Sequence, residues 1–288
     1  IGRDEISFIG GEPMKKKIAF LLILVFLVGL ALFLFFSHQL VNWLWYRSLD
    51  ALAQFWIPLL TKLGIRLGLG FFCFCFLYLN LRQTKKAFLE LDSEVNVSPQ
   101  QHTFFSVITA LLLTLFLLPG SAPDWTVVQL YLNRTAFGVT DPIFHLDLGF
   151  YLFAYPFYQK LIVTFLGLII LALLSVTLFY VVAQAYWYQD RKLSIWPRAR
   201  IHLTILGVCF FLLKAVDYLF SRCGLLYEEK SLLTGVDFTT HHLRILGYNL
   251  MAIIAVLAAI LLLTTLFRQK HPRRLIMAGL VLWVGASL

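Results

Sequence analysis

Lys214 and Asp217 stand three positions apart inside the apolar run 201–220. That spacing puts them on neighbouring positions of a helix, where the carboxylate can neutralise the ammonium locally. Charge inside a membrane span is costly. Such a pair is therefore either a self-compensated couple or part of a proton or substrate relay facing other helices. A second set lies in the stretch Phe137–Phe157. Asp141 before Pro142 is a turn signal, and an aspartate can cap a helix that a proline opens. Gly149 offers backbone conformations closed to other residues. Asp141 and Asp147 are the carboxylates available for chemistry there. Phe144, Phe150, Tyr151, Phe153 and Pro156 make the stretch too aromatic for a solvated loop, so it is expected to pack back onto its neighbours. His145, Asp147, His241 and His242 raise the question of a metal. No H-E-x-x-H spacing exists, however, and adjacent histidines diverge on a helix. Of the four cysteines, Cys73, Cys75 and Cys209 lie in apolar runs, Cys223 reads as a loop residue, and no C-x-x-C motif occurs. Phosphate-binding, dinucleotide and hydrolase motifs are absent too. No cofactor and no metal is expected.

The elements that must position these residues follow from composition. The 288 residues are 60% apolar and only 14% charged, with a mean hydropathy of +0.82. Soluble domains are nearer 45–50% apolar and about 25% charged. A helix needs about 20 mainly apolar residues to cross a bilayer. Seven runs qualify or nearly qualify, at 18–36, 63–81, 104–118, 161–183, 201–220, 245–267 and 275–288. The reading is an all-α, polytopic transmembrane bundle. The last run stops after 14 residues with no polar residue following, so a longer natural protein is expected beyond Leu288. Met14-Lys15-Lys16-Lys17 reads as a natural start, which makes residues 1–13 a non-native or disordered leader.

Lysine and arginine set the orientation. Fifteen lie before the first run and in the second, fourth and sixth loops, against eight in the first, third and fifth loops. The amino end is thereby placed in the cytoplasm and the odd loops outside it. The net charge of +9 belongs to this asymmetry rather than to nucleic-acid binding. Trp43-Leu44-Trp45-Tyr46 and Phe55-Trp56 in the first outer loop predict a helix lying in the headgroup zone, turning into the second span near Pro58. The aromatic third outer loop predicts another such interfacial segment.

The string Phe137-Gly138 … Asp141-Pro142-Ile143-Phe144 … Asp147 … Phe150-Tyr151-Leu152-Phe153 … Pro156-Phe157 resembles the signature of the uncharacterised protein family 0182, large bacterial and cyanobacterial membrane proteins. Trp43-Leu44-Trp45-Tyr46 is similar to another of its stretches. Gly149 departs from the family pattern, where serine is usual, and Val236–Thr240 departs from its last motif, which leaves any role of that motif's aspartate open. The resemblance implies seven amino-terminal spans followed by a large extracytoplasmic domain. It implies no activity.

Three functions fit these residues. The first is a non-enzymatic anchor and interaction module in the cell membrane. Its expected partners are the lipid bilayer and membrane or envelope proteins, with Asp141, Pro142 and Gly149 shaping a turn and Phe144, Phe150, Tyr151 and Phe153 forming a packing face. The second is a transporter or channel using Lys214 and Asp217. The third is a membrane enzyme on envelope or lipid-linked substrates with Asp141 and Asp147 as its carboxylates. The first is preferred, because a relay needs charged partners on several helices and no run except 201–220 carries a charge pair, Arg66 near the end of the run 63–81 being read as snorkelling.

Overall fold

The computed structural model describes residues 12–91, 97–121, 123–189, 192–227, 229–230, 233–234 and 237–267. Apart from Glu12 and Pro13, the expected leader falls outside them, as does the whole of the seventh run, 275–288. The described chain is all-α: α1 (Glu12–Ser48), α2 (Leu52–Glu90), α3 (Pro99–Ser121), α4 (Trp125–Leu132), α5 (Tyr155–Val182), α6 (Pro197–Gly224) and α7 (Ile245–Phe267). A π-helical turn leads into α5 at Phe150–Ala154 and another into α7 at Thr240–Arg244. Two short antiparallel hairpins interrupt the helices, β1 (Tyr186–Gln189) with β2 (Lys192–Ile195) and β3 (Glu229–Lys230) with β4 (Leu233–Thr234). Six helical stretches are long and apolar enough to cross a membrane, and they match the first six of the seven expected runs to within one residue at the ends of 161–183 and 245–267 and contain the other four.

The chain divides into two units, Ile1–Leu60 and Thr61–Leu288. In the first, the aromatic stretch is helical but forms no element of its own. Trp43, Trp45 and Tyr46 continue α1, Phe55 and Trp56 begin α2, and Pro58 lies within α2. Only Leu49–Ala51 separates the helices. Asp50 takes a left-handed conformation (φ 51°) there, and the Ala51 amide donates back to the Tyr46 carbonyl at 3.0 Å. One strained residue thus breaks a sequence that otherwise has nothing to stop a helix.

In the second unit α3 starts earlier than its apolar run. Ser98 and Gln101 form a reciprocal cap: the Gln101 amide donates to Ser98 Oγ (3.3 Å) and the Ser98 amide to Gln101 Oε1 (2.9 Å). With Pro99 in the first helical position, this is a strong start signal. It draws Gln100, Gln101, His102 and Thr103 into a helix of 23 residues. The core joins Cys73, Leu77 and Leu81 of α2, Ala110 and Leu117 of α3, Leu168, Ala172, Val176 and Tyr180 of α5, and Ala199 and Leu206 of α6. Large apolar side chains such as Phe71, Phe116 and Leu174 face outward, the reverse of a water-soluble fold. With apolar groups on both sides, close helix contact has to come from small side chains rather than from hydrophobic exclusion. α6 and α7 meet accordingly through Ala215, Ala252, Ala255, Ala258 and Ala259. At Gly207 a Cβ would lie 2.6 Å from Leu262 Cδ2. Cys223, expected in a loop, is buried in the last turn of α6.

Ala255 is fully buried. Ala255→Leu is expected to force α6 and α7 apart and cost about 1–3 kcal/mol, read as a lower thermal midpoint in detergent.

Candidate functional site

The segment Phe137–Phe157 forms a compact loop closed by its own carboxylates. The Thr140–Asp147 bridge and two backbone bonds, Asp141 amide to Leu146 carbonyl (2.9 Å) and Leu148 amide to Val139 carbonyl (2.9 Å), bring its strands together. His145 permits the reversal by adopting φ 57°. Inside the loop, Asp141 accepts from the amides of Ile143 (2.8 Å), Phe144 (2.6 Å) and Leu146 (2.9 Å), and from the Tyr151 hydroxyl (2.8 Å). Asp147 accepts from the amides of Phe137 (3.0 Å), Gly138 (2.8 Å) and Gly149 (2.7 Å). Asp141 caps the turn that Pro142 opens rather than a helix. The spacing Phe-Gly … Asp-Pro … Asp … Phe-Tyr is thus a set of mutual partners: two carboxylates meet six amides and one hydroxyl.

Electrostatics follow from these bonds. Burial raises the pKa of Asp141, but the amides of Phe144, Leu146 and Ile143 and the Tyr151 hydroxyl outweigh it and hold the group below its ordinary 3.8. The amides of Phe137, Gly149 and Gly138 lower Asp147 likewise. Carboxylates stabilised in this way are poor proton acceptors at neutral pH.

Gly149 has ordinary helical torsions (φ −62°), so the expected need for special backbone freedom is not its role. Its role is close approach, since a Cβ there would overlap the Thr135 carbonyl oxygen. Phe144, Phe150 and Tyr151 pack with Tyr155, Phe220 and Cys223. Phe153 instead meets Phe137 edge-on at 5.8 Å, and Pro156 is the second residue of α5. Tyr131 of α4 stacks on Phe157 (4.2 Å) and bonds the Tyr158 hydroxyl (2.9 Å), which ties α4 to α5. The Arg222 guanidinium of α6 lies 5.4 Å over Phe144.

Lys214 Nζ and Asp217 Oδ2 are 2.6 Å apart on α6, their side chains 25% and 16% exposed. The ammonium also sits 4.7 Å from the Tyr218 ring. Both partners belong to one helix, so the pair is closed locally. His241 and His242 have ring centroids 4.7 Å apart, and His242 stacks near Phe238. Among the described residues no three His, Cys, Asp or Glu side chains converge as a metal site would need. Asp237, the aspartate of the blurred last motif, caps the turn into α7 by accepting from the Thr240 amide at 2.6 Å.

Sequence reasoning missed a buried polar node at the opposite end of the bundle. The Thr84 hydroxyl donates to the Leu81 carbonyl (2.7 Å), which leaves its oxygen to accept from His102 Nε2 (3.0 Å). His102 Nδ1 then accepts from Ser106 (3.4 Å). One turn earlier on α2, Asn80 Nδ2 donates to the Phe76 carbonyl (2.7 Å), and Asn80 Oδ1 accepts from His202 Nε2 (3.0 Å). His202 Nδ1 accepts from the Tyr180 hydroxyl (3.0 Å). Two parallel chains on α2, α3, α5 and α6 therefore end on α2 carbonyls. The Glu90–Arg198 ion pair closes the same end. The available signal was Asn80 and Thr84 at i and i+4, a polar stripe on an apolar helix.

These features define an all-α protein whose helices are long and apolar enough to cross a membrane, with one self-bonded aromatic loop at one end and a buried histidine node at the other. The chain belongs to the uncharacterised protein family UPF0182, whose profile matches residues 18–288. Relatives include UPF0182 proteins of Desulforamulus reducens (27% identical, covering 89% of this chain and 31% of the relative) and Pelotomaculum thermopropionicum (30%, 91% and 31%). A cyanobacterial relative from Synechococcus sp. is 30% identical over 76% of this chain and 24% of its own length. The chain thus spans about a third or less of the length of these relatives. No solved structure matches it.

Asp141→Asn replaces an acceptor of four bonds by a group that presents an N–H₂ to donors. It should cost about 2–3 kcal/mol, and Tyr151→Phe about 1 kcal/mol, both measured by thermal melting. Because the folded pKa of both aspartates lies below the unfolded value, their stabilisation is complete above the unfolded pKa and is lost as pH falls through the folded one. Hydrogen exchange at the amides of Phe137, Gly138, Phe144 and Leu146 should be unchanged in protection from pH 7 to about 5, and accelerated below the ordinary 3.8 relative to amides of α5. Gly149→Ser should destabilise this chain by about 1–3 kcal/mol, because the Thr135 segment must move.

Proposed function

We propose that this chain is the multi-pass anchor and interaction module of a longer cell-membrane protein, with its amino end in the cytoplasm and the Asp141 loop facing outward. The observation that carries the reading is that the two aspartates of the aromatic loop accept seven hydrogen bonds from the loop itself, four at the buried Asp141 and three at Asp147. A catalytic carboxylate has to keep a face for substrate. A docking platform needs a rigid shape, and seven bonds to two carboxylates supply it. The basic residues concentrated in the even loops support the orientation. Envelope or membrane proteins are the partners such a platform suits.

Transport is the second reading, favoured by the Lys214–Asp217 pair inside a long apolar helix. Against it, the pair is closed on one helix and both histidine chains terminate on backbone carbonyls, so no described chain of donors leads onward.

The double variant Lys214→Leu/Asp217→Leu decides between them. Replacing both partners of a partly buried pair by apolar groups is neutral or stabilising, so an anchor should insert, melt and support growth of a deletion strain as before. Loss of complementation by a variant that still inserts would favour transport. Cysteines placed at positions 145 and 230 should react with an impermeant reagent in intact cells, and labelling only after lysis would reverse the orientation.

A further inference from the structure

The outward-facing side of the α6–α7 contact carries a groove of about 450 Å³ lined by Ala215 and Leu219 of α6 and by Asn249, Ala252, Ile253 and Val256 of α7. We propose that it binds one anionic phospholipid, with an acyl chain in the groove and the phosphate at Arg222. The small Ala215 and Ala252 make the floor, both nearly fully buried. Ile253 and Val256 form a rim, 55% and 37% exposed. The lining is hydrocarbon but for Asn249. From Asn249 to Val256 the groove follows seven residues, about 10 Å of helix. It therefore accepts a chain laid along the helices rather than a compact solute.

Arg222 stands at one end. It lies on the same face of α6 as Ala215 and Leu219, at i+7 and i+3 from them, and its Nη1 donates to Asn249 Oδ1 at 2.9 Å. The cation is thus bonded directly to the polar residue of the lining. Half-buried and resting on Phe144, it has no carboxylate within ion-pair distance among the described residues. The carboxylates of Asp141 and Asp217 are already committed to the loop and to Lys214. A half-buried guanidinium of this kind favours an anion, and a phosphate matches its planar fork. Apolar surface ending at a cation is the pattern of a lipid: hydrocarbon along the helices, negative charge at their end. A zwitterionic headgroup would bring an ammonium as well, and among the described residues no carboxylate lies within ion-pair distance of Arg222 to receive it.

The proposal rests on the membrane reading, and the test separates the two. The 288-residue chain is reconstituted in vesicles of equal dioleoylphosphatidylglycerol and dioleoylphosphatidylcholine, extracted in mild detergent and weighed by native mass spectrometry. The expected result is one retained phosphatidylglycerol per chain, favoured about tenfold over phosphatidylcholine. Arg222→Gln should abolish the preference and Arg222→Lys should keep most of it. Val256→Trp, which fills the groove from its exposed rim, should reduce retention of both lipids. Glycerophosphoglycerol, the headgroup without chains, should not compete. Equal retention of the two lipids by the unaltered chain, undiminished preference in Arg222→Gln, or full retention in Val256→Trp would overturn the site. So would a lipid-free dimer. Vesicle flotation run in parallel reports insertion: a chain that floats without lipid preference sinks the site alone, and one that fails to float sinks the membrane reading.

Discussion

A polar atom withdrawn from water must find its partner inside the protein, and the arrangement of this chain turns on that constraint. An unmade hydrogen bond in an apolar setting costs far more than a made one contributes. The Asp141 loop meets the constraint by folding its backbone amides around two carboxylates and adding the Tyr151 hydroxyl. The other end of the bundle meets it by pairing each histidine with a hydroxyl on one side and an α2 side chain on the other. In both places the satisfied group is also a clamp. Tyr151 ties the loop to the helical turn before α5, and the histidines hold α2, α3, α5 and α6 together.

Between these two ends the packing is of another kind. The helices carry apolar side chains on every side, so burial of hydrocarbon says little about which faces should meet. Size decides instead. Alanines at 252, 255, 258 and 259 and glycine at 207 let α7 approach α6 closely, and dispersion then acts over many short contacts. Beside that contact, Ala215 and Ala252 floor a groove that runs from Asn249 to Leu257.

Much of this was legible before any coordinates. The six described helices long and apolar enough to cross a membrane follow from apolar length, and the motif of aspartates, glycines and aromatics stood out because such residues are out of place in a solvated loop. Less legible were the features that depend on contacts distant in sequence. Asn80 to His202 and Thr84 to His102 are 122 and 18 positions apart, and no local pattern couples them. Gly149 looked like a conformational device, yet its requirement comes from the Thr135 carbonyl 14 positions away. The aromatic residues near Trp43 and Trp56 pointed to a separate interfacial helix. They continue α1 and begin α2 instead, because the break between the helices is confined to Leu49–Ala51, where Asp50 takes a positive φ.

The sequence by itself determined the class of the protein, the places of its apolar helices, the start of α3 and the existence of one special loop. Those properties reside in runs of neighbouring residues, in capping pairs such as Ser98 and Gln101, and in the solvation of single side chains. Tertiary structure alone decided which polar groups are partners, that the loop aspartates accept seven hydrogen bonds from the loop itself, that Lys214 and Asp217 close on each other, and that Arg222 bonds the one polar residue lining a hydrocarbon groove. Hydrogen bonds and close contacts are pairwise and short-ranged. They can be assigned only once packing has chosen which residues lie within about 3 Å of one another.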